Sequence, residues 1–113
     1  MSNFSKSVLI VDDDAEFRRL IATTLNRIGL EAVEASSVAE ADSILKHMTP
    51  LICIVDYRLP ENDGVTWITR LRESGRKFPL VFVSRVWCDQ KTFNWLRNIL
   101  KVSLILQKPI IHM

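Results

Sequence analysis

Asp12 and Asp13, Asp56, Ser84 and Lys108 each stand at the end of a short apolar run of Val, Ile, Leu, Phe or Cys. Carboxylates placed close together repel, so three acids in one pocket require a cation. Oxygen ligands with no His or Cys beside them favour Mg²⁺, a hard ion that takes one or two carboxylates, waters and a phosphate oxygen. A hydroxyl and an ammonium group across the same pocket are the donors a phosphoryl group needs. The simplest chemistry for the set is attack by a carboxylate on phosphorus to give an acyl phosphate. Metal and lysine would neutralise the charge on the transferring group.

These residues meet only if the runs that carry them are parallel strands of one sheet. Val8–Val11 reads as a buried strand, and Leu51–Val55 as another, stopped by Asp56 and followed by the turn-forming Pro60-Glu-Asn-Asp-Gly64. Leu80–Val83 and Leu104–Leu106 give two more strands, and Glu31–Glu34 a short fifth. Helices are predicted between them. The first carries Phe17, Leu20, Ile21, Leu25 and Ile28 on one face, with Asp14 as cap and Gly29 as stop. The second opens on the capping-box pattern Ser37-Val-Ala-Glu40 and turns Val38, Ala41, Ile44, Leu45 and Met48 inward before Pro50. The third uses Val65, Ile68 and Leu71 and stops near Gly75; the fourth, capped by Asp89, uses Phe93, Leu96, Ile99 and Leu100. Strand–helix alternation of this kind implies an α/β, doubly wound, five-stranded parallel sheet with right-handed crossovers, in which ligands bind at the carboxyl ends of the strands. No helix is predicted after the fifth strand, so one sheet face would be covered by a single helix. The chain is expected to be an N-terminal fragment, residues 1–113 of one domain, lacking its last helix; the alternative is that another chain covers that face.

Composition narrows the classes. The chain has 113 residues, 48% hydrophobic and 25% charged, in keeping with one soluble domain. A net charge of +2 is too mild to argue for nucleic acid or a membrane surface. No run approaches the roughly 18 apolar residues of a membrane span. Cys53 and Cys88 lack metal or redox spacing and read as incidental thiols of a cytoplasmic protein.

The ordered set Val-Leu-Ile-Val-Asp12-Asp13, Val-Asp56-Tyr-Arg-Leu-Pro60 with Asp63-Gly64, Phe-Val-Ser84 and Lys108-Pro109 resembles the receiver domain of two-component response regulators, and it spans essentially the whole chain. The resemblance implies a flavodoxin-like strand order 2-1-3-4-5. It makes Asp56 the phosphoacceptor, with Mg²⁺ held by Asp12, Asp13, Asp56 and the backbone carbonyl of Arg58. Asp14 could replace Asp13 if the first strand ends one residue later. Ser84 would follow the arriving phosphoryl group and Lys108 would pair with it, beside a cis Lys108-Pro109 bond. The implied partners are a histidine kinase or histidine phosphotransfer protein and an effector domain or partner protein. A homodimer is possible, and no direct contact of this domain with nucleic acid or membrane is implied. The domain would catalyse only its own phosphotransfer and dephosphorylation.

Several positions depart from the family pattern. Arg85 follows Ser84 where a small residue is usual, and Arg58 is a second long cation at the pocket mouth. They are either solvated loop residues or a screen that slows hydrolysis of the phosphoaspartate. Ile105 stands where the family commonly has an aromatic, and Leu100–Leu104 lacks the usual Gly-Ala turn. Trp87 and Trp95 lie in or beside the fourth helix, as core residues or as an interaction surface. The alternative function is a pseudo-receiver, a binding module not regulated by phosphorylation. A haloacid-dehalogenase-like phosphatase would need an acid at Arg58, and a nucleotide-binding flavodoxin-like domain would need a Gly-rich loop that this chain lacks.

Overall fold

Each predicted strand exists, and each pairs in parallel. The computed structural model describes residues 6–56, 59, 64–84 and 90–107. In chain order the elements are β1 (Ser7–Val11), α1 (Ala15–Arg27), β2 (Glu31–Ala35), α2 (Val38–Leu45), β3 (Ile52–Asp56), α3 (Gly64–Glu73), β4 (Leu80–Ser84), α4 (Gln90–Asn98) and β5 (Leu104–Gln107). The sheet order is β2-β1-β3-β4-β5, the flavodoxin-like order. In-register pairs such as Leu9 with Cys53, and Val55 with Phe82, fix which side chains share a face.

The two faces are packed unequally. Leu9, Val11, Cys53, Val55, Leu80 and Phe82 turn to one face, where α2, α3 and α4 cover them with Ala41, Leu45, Trp67, Ile68, Leu71, Leu96 and Leu100. Full burial of side chains of this size stabilises by roughly 1.5–3 kcal/mol each. Trp67, fully buried, satisfies its indole N–H by donating to the Asp42 carboxylate on α2 at 2.9 Å. Val8 and Ile10 turn to the other face and meet Ala22, Ile21 and Leu25 of α1, with Ile52 and Ile54 alongside. Among the described residues α1 is the one helix there. On the half of that face formed by β3 to β5, Ile54, Val81 and Leu106 are half-buried and Leu104 is 45% exposed.

Several residues assigned to the core from spacing lie outside it. Leu20 and Ile28 on α1, and Phe93 and Ile99 at and beyond α4, are exposed, as is Leu51 before β3. Helix α1 packs on a sheet edge through Phe17 and Ala22, so its buried arc is narrower than the apolar stripe. Met48 lies past the end of α2. The capping box of α2 is shifted. Ser37 Oγ accepts the Glu40 N–H at 3.2 Å, but Glu40 Oε1 reaches back to the N–H and hydroxyl of Ser36, at 2.6 and 2.7 Å, instead of to the cap residue. Those two donors, the backbone one first, hold the Glu40 carboxyl below its ordinary value.

Helix ends are also informative. α1 and α3 finish with Gly29 and Gly75 at φ of 84° and 94°. In both, the next N–H returns to a carbonyl five residues back, Leu30 to Leu25 and Arg76 to Leu71. After α4 the left-handed position is taken by Lys101, at φ 58°.

Candidate functional site

β1 delivers the first acids to the carboxyl edge of the sheet. All five of its residues are buried. The Asp12 N–H extends its pairing with β2 by donating to the Ala35 carbonyl oxygen at 3.0 Å. Asp12 is therefore held as rigidly as the strand itself and is 1% exposed. Its Oδ1 accepts the Asp14 N–H at 2.9 Å, turning the chain toward α1, and its Oδ2 is shut away from solvent. Asp14 caps α1, its Oδ1 accepting the N–H groups of Glu16 and Phe17 at 3.1 and 3.2 Å.

β3 brings Asp56 alongside. The Asp56 side chain is buried at the strand's last residue. Carboxylate oxygens of Asp12, Asp13 and Asp56 all lie within 4.8 Å of one another, with Asp13 the exposed member. Asp14, the alternative to Asp13, is outside this group and committed to the helix cap. Like charges at this separation repel by roughly 3 kcal/mol per pair at an effective dielectric of about 20. Three carboxylates and no nitrogen or sulfur ligand form a donor set that fits Mg²⁺.

Two residues not singled out for this role in the sequence shape the pocket. Arg18, one turn into α1, donates from Nη1 to the Asp12 carbonyl oxygen at 2.7 Å and from Nε to Glu34 Oε1 at 3.0 Å. It pins the backbone of Asp12 to both α1 and β2. Only its place on the first turn after the acids could have suggested this. Gly64 opens α3, and a Cβ there would run into the Asp56 carbonyl oxygen and the Phe82 ring. The missing side chain is what lets α3 start directly against the end of β3.

Ser84 closes β4 and is 3% exposed. The register pairs Asp56 with Val83, so Ser84 lies one residue further along the neighbouring strand. Ile105, paired with Phe82, is partly buried against the main core, and Trp95 is 38% exposed on α4. Arg58, Lys108 and its bond to Pro109, Arg85, Trp87, Cys88 and Asp89 lie outside the described residues. The structure thus brings together Asp12, Asp13 and Asp56, with Ser84 on the adjacent strand end. Among the described residues no helix is long and apolar enough to cross a membrane.

A family model described as the response regulator receiver domain matches residues 8–110. The chain is 32% identical over 94 residues to the probable transcriptional regulator ycf27 of Porphyra purpurea, a match covering 81% of this chain and 38% of that one. It is 34% identical over 67 residues to the phosphate regulon transcriptional regulatory protein PhoB of Pseudomonas aeruginosa, covering 59% of this chain and 29% of that one. The chain spans well under half the length of these curated relatives. A crystal structure of a response regulator receiver protein from Pseudomonas putida superposes with a TM-score of 0.84 at 26% identity, over 98% of this chain and 91% of that one.

Proposed function

The chain belongs to the response regulator receiver domain family, a family of signalling domains, and on that premise we propose that Asp56 takes a phosphoryl group from a histidine kinase or histidine phosphotransfer protein. The observation that carries this reading is the convergence of the Asp12, Asp13 and Asp56 carboxylates where β1 and β3 end. An Asp56 carboxylate oxygen attacks phosphorus in line. The bond from phosphorus to the donor breaks, its electron pair stays with the donor, and an acyl phosphate remains on Asp56. Asp12, Asp13, Asp56 and the Arg58 carbonyl would hold Mg²⁺, which when bound would supply the positive charge that lets a phosphoryl group share a pocket with three acids. Burial of Asp12 and Asp56 keeps water from the reacting carboxylate and strengthens each charge interaction. The Ser84 hydroxyl donates to a phosphoryl oxygen and Lys108 pairs with another. Moving Ser84 toward the new group shifts the loop after β4 and with it the surface offered to an effector domain or partner protein. The domain works in the cytoplasm and makes no contact with nucleic acid itself.

Intact mass spectrometry after incubation with a small-molecule phosphodonor tests this. One phosphoryl adduct is expected with Mg²⁺, none with chelator and none in Asp56→Asn. A folded wild-type protein that acquires no adduct would overturn the reading in favour of a pseudo-receiver.

A further inference from the structure

At the opposite edge of the sheet, where β4 and β5 begin, the ends of α3 and α4 flank an open cavity of about 420 Å³. Four cations line it, Arg72, Arg76, Lys77 and Lys101, with Pro79 and Ile99 as its apolar wall and no acidic residue. Among the described residues no carboxylate pairs with any of the four. The C-terminal carbonyls of two helices would ordinarily account for cations here. Arg72 is occupied by the fold: its guanidinium donates to the carbonyl oxygens of Leu100, Arg76, Phe78 and Lys101, in the loops that follow the two helices, at 2.8 to 3.2 Å. Among the described residues, no side-chain hydrogen bond or ion pair engages the charged ends of Arg76, Lys77 and Lys101.

Lys101 carries a second indication. Gly29 and Gly75 occupy the left-handed positions that follow α1 and α3, whereas the position after α4 holds a long cation at φ 58°. A lysine there is strained relative to glycine, so the side chain is kept at the expense of the backbone. The volume lies in the range of small-molecule sites.

We infer that this cavity is a second ligand site, for an organic phosphate that bears two or more negative charges and lays an apolar or planar part on Pro79 and Ile99. A nucleoside diphosphate has that chemistry. Inorganic phosphate has the charge without the apolar part. The site is remote from the acidic pocket and does not depend on phosphorylation of Asp56.

Isothermal titration with ADP, pyrophosphate and adenosine, all in chelator so that the acidic pocket takes no part, tests the inference on the wild type, Lys77→Ala, Lys101→Gly and the double variant. ADP is expected to bind, and to bind about tenfold or more tightly than pyrophosphate or adenosine. The double variant is expected to lose about tenfold or more in ADP affinity. Lys101→Gly is expected to raise the melting temperature while weakening ADP, which a purely structural lysine would not do. No ADP heat at millimolar concentration, equal affinity for pyrophosphate, or unchanged affinity in the double variant would each overturn it.

Discussion

The two edges of the sheet are opposite in charge and built by different means. At the carboxyl edge the acids sit at strand ends, Asp12 buried and held by its backbone bond to Ala35, Asp56 buried and paired with Val83. At the amino edge the cations sit on helix ends and loops, where long side chains reach over exposed backbone. The first arrangement gathers three carboxylates at one strand edge, a donor set that suits a cation. The second sets one of its four cations, Arg72, on backbone carbonyls and, among the described residues, leaves the other three without a side-chain partner. A net charge of +2 conceals this polarity.

Breaking either edge should have a different signature. Gly64→Ala is expected to cost the most, roughly 3 kcal/mol in chemical denaturation, because its Cβ meets backbone and a packed ring that cannot yield. It should also abolish phosphoryl adduct formation by displacing Asp56. Arg72→Ala is expected to cost about 1–2 kcal/mol, since four carbonyls lose a charged donor but part of that surface can be rehydrated. Adduct formation at the far edge should survive it. If Arg72→Ala abolished the adduct as well, the two edges would not be independent. The smallest effect concerns an exposed acid held mainly by neutral donors, with Arg18 adding a weaker attraction. The Glu40 carboxyl is lowered from an ordinary value of 4.5 by Ser36. Its stabilising effect is therefore present above that value and lost as pH falls through the lower, folded one. The melting-temperature gap between wild type and Glu40→Gln should be largest near neutrality and close in acid.

Much of the carboxyl edge was legible because an apolar strand that stops at an acid announces its own end. Val8–Val11 and Ile52–Val55 can stop at an acid only where the chain leaves the core, and parallel topology brings those exits together. Helix faces were less legible. Spacing assigns Leu20, Ile28, Phe93 and Ile99 inward, yet an edge-packed or short helix buries a narrower arc than its apolar stripe. Trp67 is the reverse case: it is absent from the Val65, Ile68, Leu71 reading, yet it lies four residues before Leu71 on the same face and is fully buried in the core, with Asp42 on another helix receiving its N–H. The Arg72 clamp joins residues 28 and 29 positions apart. No local pattern encodes such a contact, so the basic edge could be read only from coordinates.

Cys53 has one further consequence. It lies fully buried in the middle strand, and burial pushes its thiol well above the usual range. The thiolate that reacts with an alkylating reagent therefore forms only in molecules whose sheet has come apart. The central strand thus carries its own clock: the rate at which Cys53 is labelled counts how often the molecule opens, in phosphorylated and unphosphorylated forms alike.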